Sequence, residues 1–220
     1  MELIGKGAEA NLFLEDFDQV MYPSDVDKVL IKHRIPKEYR VEELDKRLRD
    51  YRTSLEAKLL SDAKKAGVPT PTVYRVDRVE MKIVMQYIDG DPVKTFLEDL
   101  DKDSRKDLCR VIGRQIGRLH DFGIIHGDLT TSNMIKGEDG QIYFIDFGLG
   151  EYDSSVENRG TDIHLIHRTL TSSHFRVGKE SFEEILEGYK EGLGEEAEEV
   201  IRRVREIESR GRYVAKEERR

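Results

Sequence analysis

Apolar residues near the start of the chain come in short runs separated by glycine or charge, the pattern of strands and tight turns. Ile4 and Leu12-Phe13 flank Gly5-Lys6-Gly7-Ala8-Glu9-Ala10, which predicts strand, turn, strand; Val29-Leu30-Ile31 reads as a buried strand ending in Lys32. From Pro36 the period lengthens. Val41, Leu44, Leu48, Tyr51, Leu55 and Leu59 recur at steps of three and four on one helical face, with Glu42, Glu43, Asp45, Arg47 and Arg49 on the other. Ala66-Gly67 and the prolines of Val68-Pro69-Thr70-Pro71 end that helix. Two more strands, Val73 to Val76 and Met81 to Met85, turn at Asp77–Glu80.

Past residue 88 the helical period dominates. Pro92 opens a helix over Val93–Leu100. Asp103 or Ser104 caps the next, whose Leu108, Val111, Ile112, Gln115, Ile116 and Leu119 share a face as far as Phe122-Gly123. One hairpin interrupts: Met134-Ile135, a turn at Gly137-Glu138-Asp139-Gly140, and a return strand from Gln141 to Ile145. Ser181 to Ile207 is again helical, before a charged terminus. Strands with one long helix, then a mainly helical remainder, predict an α+β chain of two lobes, residues 1–88 and 89–220.

Charged residues make up 37% of the 220, as many as the hydrophobic ones, and there is no Trp, a balance that fits a heat-adapted source. The net charge of −8 disfavours indiscriminate nucleic-acid binding by the whole surface. The single cysteine, Cys109, cannot form an intramolecular disulfide and falls in a helical apolar pattern as a small core residue. No apolar run reaches the length of a membrane-spanning helix and Met1-Glu2 opens no signal peptide. The expectation is a soluble, cytoplasmic protein with no membrane partner.

Candidate chemistry concentrates in residues 126–148. His126-Gly127-Asp128-Leu129-Thr130-Thr131-Ser132-Asn133 follows Gly123-Ile124-Ile125, and the return strand delivers Asp146, in Ile145-Asp146-Phe147-Gly148, to the same end of the hairpin. Magnesium takes hard oxygen ligands in octahedral geometry and shares them with substrate phosphates. One carboxylate and one amide oxygen therefore suit a metal-bound nucleotide, leaving the other carboxylate to orient a nucleophile.

The two segments resemble the catalytic loop of kinases, H-R-D-x-x-x-x-N, and their D-F-G magnesium loop. The resemblance implies a two-lobed protein-kinase-like fold with a reduced, mainly helical C-terminal lobe, Asp128 as the catalytic residue, and Asn133 and Asp146 as metal ligands. Gly5, Lys6, Gly7, Ala8, Glu9 and Ala10 stand where backbone amides cover the ATP phosphates, with Ala10 in place of a third glycine. Taken alone they are better read as an ordinary hairpin turn. Lys32 falls where the α- and β-phosphates are held, ahead of Lys28 as a candidate. Glu56 is its implied ion-pair partner, although most helix glutamates are solvated or pair locally. Met85, Gln86, Tyr87 and Ile88 resemble the hinge on which adenine rests, and a plain interlobe linker also fits. Asp162 either braces the catalytic loop from a helix or caps that helix.

Departures from ordinary protein kinases are specific. Gly127 replaces the arginine that reads an activation-loop phosphate, so switching by that route is not expected. Thr130 stands where serine/threonine kinases keep a lysine, no A-P-E motif follows, and the helices after Thr161 are too few for a normal peptide groove. Arg202, Arg203, Arg205, Arg210, Arg212, Arg219 and Arg220 make the end basic, as a solvated tail or as a contact for RNA phosphates or an acidic partner.

Gly5-Lys6-Gly7-Ala8-Glu9-Ala10, Lys32-His33-Arg34-Ile35-Pro36-Lys37-Glu38-Tyr39-Arg40, Glu56-Ala57-Lys58-Leu59-Leu60, Gly67-Val68-Pro69-Thr70-Pro71, the Asp128 loop and Arg210-Gly211-Arg212-Tyr213 run together. They closely resemble the small atypical kinase/ATPase subunit of the KEOPS (EKC) complex, the Bud-type, piD261-like kinases, and the size resembles the free-standing archaeal form. That resemblance implies ATP with Mg2+ or Mn2+ as cofactors, phosphorylation of serine or threonine (itself included) and ATP hydrolysis. It implies a Kae-type threonylcarbamoyltransferase and other KEOPS subunits as partners, making N6-threonylcarbamoyladenosine on tRNAs that read ANN codons, with tRNA met through the basic tail. Two other classes share some of these features. A small-molecule phosphotransferase of the aminoglycoside or choline kinase type normally carries a larger helical half, and a pseudoenzyme scaffold lacks a catalytic group.

Overall fold

The computed structural model describes residues 2–7, 9–16 and 28–217, with side chains as far as Ser209. Ala8 and the side chains of the arginines from Arg210 onward lie outside the described residues.

Strands β1 (Glu2–Lys6) and β2 (Ala10–Asp16) pair antiparallel, with Gly5 opposite Leu12 and Lys6 opposite Asn11. With β3 (Lys28–Arg34), β4 (Val73–Asp77) and β5 (Lys82–Gln86) they form a sheet of order β1-β2-β3-β5-β4. Side chains alternate across a strand, so Leu30, Lys32 and Arg34 share one face of β3. Val29 and Ile31 take the other and form a small cluster with Val84.

Helix α1 spans Glu42–Lys65, not the longer run from Pro36 that periodicity predicts. Residues 35–41 are irregular, with Arg40 N–H donating to the Lys37 carbonyl. The facing is also inverted over its first half. Val41 and Tyr51, on the apolar stripe, are 73% and 63% exposed, whereas Asp45, Thr53 and Glu56 are buried. Polar side chains turn inward here because basic residues of the sheet and the connector wait to meet them. The helix ends as expected, with Ala66 as its C-cap and Gly67 at φ +79.

The chain leaves β5 through Tyr87 to Asp89 into a short β6 (Gly90–Pro92) and a single turn, α2 (Val93–Phe96), less than the helix read over Val93–Leu100. Asp101, not Asp103 or Ser104, caps α3 (Lys102–Asp121), accepting from both of their backbone N–H groups. Strand β7 (Ile124–Ile125) precedes the catalytic-loop segment, and β8 (Met134–Gly137) and β9 (Ile142–Phe144) form the expected hairpin. Strand β10 (Glu151–Tyr152) pairs with β7, and α4 (Val156–Ser173) follows. The helical stretch from Ser181 is two helices, α5 (Gly178–Leu193) and α6 (Ala197–Glu217), because Gly194 turns the chain at φ +78.

One hydrophobic cluster runs through both halves, from Leu59, Leu60 and Met85 past Ile124, Phe144 and Phe147 to Ile185 and Tyr189. Each fully buried Leu, Ile or Phe contributes about 1.5–3 kcal/mol of transfer free energy. That continuity holds β3, α1 and the loop after β9 at fixed separations.

Candidate active site

The β1–β2 turn, the inward face of β3, the middle of α1 and the loops around β8–β9 converge on one cleft. Lys32 is its centre. Its Nζ donates to Glu56 Oε1 at 2.6 Å and to Asp146 Oδ1 at 2.7 Å. Burial alone would lower the Lys32 pKa, but the Glu56 and Asp146 carboxylates outweigh it and hold the amine above its ordinary range. Burial likewise disfavours ionised Asp146, yet the charge and hydrogen bond of Lys32 keep it below the usual carboxylate range. The Asp146 side chain is 49% exposed to the open cleft, so solvent screens that pair more than the Glu56 pair.

Arg34, two residues along the same face, was present in the sequence only as part of a motif. Its Nη2 donates to Glu56 Oε2 at 2.5 Å and its Nη1 lies 3.6 Å from Glu9 Oε2. Glu9, on the glycine-containing turn, also receives Arg52 from α1 and Arg40 Nη2 at 3.3 Å. Burial pushes the Glu9 carboxyl up, but Arg52 and the other guanidiniums bring it below its ordinary value. The result is an alternating chain of charge, Glu9–Arg34–Glu56–Lys32–Asp146, from the glycine turn to the loop after β9. The strand alternation that pairs Lys32 with Arg34 was legible; the meeting of Arg40 and Arg52 with Glu9 required the fold.

The second half of the site is held from below. Asp162, on α4, accepts the backbone N–H of His126 at 2.6 Å and of Gly127 at 2.9 Å, which makes it a brace and not a helix cap. Its burial opposes ionisation, but the hydrogen bonds from His120 and from the His126 backbone keep the carboxyl low. His126 Nε2 meets the Ile145 carbonyl at 3.1 Å and its Nδ1 meets the Asp128 N–H at 3.3 Å. A carbonyl only accepts and an amide only donates, so the ring is neutral, with its proton on Nε2. Burial lowers its pKa in the same sense. The imidazole thereby ties the Asp128 loop to the segment carrying Asp146. Gly127 has φ +80, and a Cβ there would stand 2.2 Å from the Leu149 carbonyl oxygen. That close approach is why no arginine occupies the position.

Asn133 Nδ2 donates to Asp128 Oδ2 at 2.8 Å and to the Asp128 carbonyl at 2.9 Å. With the amide nitrogen so engaged, Asn133 Oδ1 is the atom left for a cation. Asp146 sits at φ +61, a left-handed conformation costing on the order of 1 kcal/mol that aspartate tolerates through its own Oδ1 bond to the Gly148 N–H. One carboxylate and one amide oxygen are the hard donor set that Mg2+ or Mn2+ takes.

Two adjoining cavities, of about 290 and 270 Å3, share Leu12, Lys32 and Asp146. The first is charged, with Gly7, Glu9, Ala10, Arg34 and Asp128 in its wall. The second is mostly apolar and takes Leu30, Met85, Gln86, Tyr87, Ile88, Glu56 and Asn133. A polyphosphate and a flat aromatic base match these two compartments in size and polarity. Gly5 and Lys6 line neither.

A family model described as the RIO domain matches residues 26–155. The KEOPS complex subunit Bud32 of Pyrococcus abyssi is 49% identical over 214 residues, 97% of this chain and 96% of that protein. A probable bifunctional tRNA threonylcarbamoyladenosine biosynthesis protein of Methanobrevibacter smithii is 39% identical over 213 residues, 96% of this chain but 37% of that longer one. Among solved structures, the Rio2 kinase of Chaetomium thermophilum, in its ADP/Mg2+-phosphoaspartate complex, superposes with a TM-score of 0.59 over 92% of this chain and 70% of that one. At 16% identity that likeness speaks to the fold alone. The fold is that of the protein-kinase-like RIO class. Within it, the chain belongs to the Bud32 family. This membership favours the KEOPS-type reading of the sequence over a small-molecule phosphotransferase. No helix among the described residues is long and apolar enough to cross a membrane.

Proposed function

We propose that this chain is an ATP-dependent serine/threonine kinase and ATPase. In this reading it works in the cytoplasm as a KEOPS subunit, beside a Kae-type threonylcarbamoyltransferase, in N6-threonylcarbamoyladenosine formation on ANN-decoding tRNAs. The observation that carries the reading is the convergence of Lys32, Glu56, Asp146, Asp128 and Asn133 on one two-compartment cleft. The bifunctional relative supports the partnership, because a segment like this chain is there part of a longer tRNA threonylcarbamoyladenosine biosynthesis protein.

Each side chain has a stated task. The hinge residues Met85 to Ile88 receive adenine, and the turn that carries Gly7, Glu9 and Ala10 covers the phosphates. Lys32 keeps Glu56 as its anchor and turns its remaining donors to the α- and β-phosphates. Asp146 and Asn133 Oδ1 would hold Mg2+ or Mn2+, which would neutralise phosphate charge when bound. Asp128 accepts the proton of the attacking hydroxyl, of serine, threonine or water, as its oxygen bonds to the γ-phosphorus and ADP leaves. Phosphoryl transfer asks mainly for positioning and charge neutralisation, so this short set is chemically sufficient.

The test is γ-labelled ATP with Mg2+, counting free phosphate and protein-bound label with and without the threonylcarbamoyltransferase partner, and with Asp128→Ala as control. Label on protein or in phosphate that disappears in the control supports the reading; turnover unchanged in Asp128→Ala refutes it. Asp146→Asn keeps side-chain volume and removes a metal-binding charge. Its ATP turnover should fall at least about 100-fold with Tm within a few degrees of wild type, and wild-type turnover would remove Asp146 from the site.

A further inference from the structure

Outside the cleft, α4 and α6 bring together three side chains that phosphoryl transfer does not use. His164 and His167 lie one helical turn apart and so face the same neighbour; Glu208 meets them from α6. One ring nitrogen of each histidine and one Glu208 oxygen all lie within 4.8 Å of one another, and all three residues are half-buried. His167 Nδ1 is in direct contact with Glu208 Oε1. Its ring stacks on Phe182, with centroids 4.2 Å and planes 25° apart, which fixes its orientation. His164 is the anomaly, because its Nδ1 is buried without a hydrogen-bond partner. Of nine such side-chain atoms among the described residues it is the only imidazole nitrogen, and its residue stands with a second imidazole and a carboxylate.

We propose that His164, His167 and Glu208 form a binding site for a first-row transition dication, Zn2+ above all, which pins the C-terminal helix to α4. Two imidazoles and one carboxylate are a ligand set that Zn2+ accepts with a water in the fourth position. Imidazole donors select against Mg2+ and Ca2+, so this site differs in kind from the oxygen donors of the cleft. Bonds of about 2.1 Å bring tetrahedral ligand atoms to about 3.4 Å from one another. The set, within 4.8 Å, closes on that spacing at its widest, while the His167–Glu208 contact opens to admit the metal between its partners. The location gives the site a purpose. Val204 is the last buried apolar residue of α6 among those described, and Glu208 lies one turn beyond it. Coordination would hold the helix where apolar burial has stopped.

The test uses the full chain, stripped with a chelator and titrated with Co2+, whose visible absorption rises on four-coordinate binding. One equivalent is expected to give that spectrum, and Zn2+ to displace it. Asp146→Asn, which alters only the cleft, is expected to keep the spectrum. His167→Ala and Glu208→Gln are expected to bind Co2+ at least about ten-fold more weakly, and to lose the Zn2+-induced rise in Tm expected of wild type. Glu208→Gln is nearly isosteric, and circular dichroism of the metal-free variants checks that the fold is retained. No four-coordinate spectrum in the wild type, or one that survives both substitutions, overturns the proposal.

Discussion

Two contacts, one within the helical half and one reaching into it from the sheet, hold this molecule by opposite means. Helices α3 and α5 cross backbone to backbone. A Cβ on Gly113 would stand 2.0 Å from the Ile185 carbonyl oxygen, and one on Gly188 would stand 2.1 Å from that of Arg110. Gly117 and Gly192 repeat the approach one turn along, and Arg110–Glu184 and Arg114–Glu191 flank it. Close backbone approach sets the spacing of that seam, with a buried hydrogen bond between His120 Nδ1 and the Tyr189 hydroxyl at 2.8 Å beside it. The charge chain from Glu9 to Asp146 is the reverse. Its middle is dry, Glu56 being 1% exposed, while its ends are wet, with 35% of the Glu9 side chain and about half of Asp146 facing solvent. A contact of shape fails wherever it is touched. A chain of charges with a buried centre and open ends fixes its centre and lets the ends change partners, as phosphate and metal require.

Substitutions should separate the two. The largest effect is expected of Gly113→Val, whose added carbons have only backbone to displace. A loss of about 3 kcal/mol or more, or about 10 °C in Tm, should appear in calorimetry, and a change under about 2 °C would break the comparison. Glu56→Gln comes next. It leaves Lys32 and Arg34 buried without their shared anion, at a cost of about 3 kcal/mol, and ATP turnover should fall about 100-fold. Acid should act through the buried catalytic-loop brace. His126 is held neutral in the folded chain, so the unfolded chain binds its proton more readily, and stability declines as pH falls below about 6.5. Asp162 is held below its usual range, so its contribution is complete above that range and is lost only as pH falls through the lower folded value. A Tm profile from pH 8 to 3 should therefore fall in two stages, and His126→Gln should flatten the upper one. The smallest change in stability is expected of Glu9→Gln, about 0.5 kcal/mol because the partners are partly solvated. Its KM for ATP should still rise about five-fold with kcat nearly unchanged; a fall in kcat alone would place Glu9 elsewhere in the reaction.

Much of the fold was legible locally. The glycine turn, the β3 run that carries Lys32 and the β8–β9 hairpin have their signals within a few residues; the structure shows each element, with β3 running two residues beyond Lys32 to Arg34. Helix α1 was misjudged at its start and over the facing of its first half. Apolar spacing reports which residues share a face, not whether that face meets the core. Here Asp45 goes inward, while Val41 and Tyr51 stay out. The break between α5 and α6 rests on one glycine inside an otherwise continuous helical pattern.

The sequence by itself determined the residue types of the cleft and their order, because the Asp128, Asn133 and Asp146 spacing is a property of one loop and one hairpin. Only the tertiary structure decided what those residues are tied to. Arg34, Arg40 and Arg52 meet Glu9, and Asp162 reaches the His126 loop across 36 residues. Charges act across space without regard to separation along the chain, and a buried charge must find its partner wherever packing brings one near. No period in the sequence records that meeting.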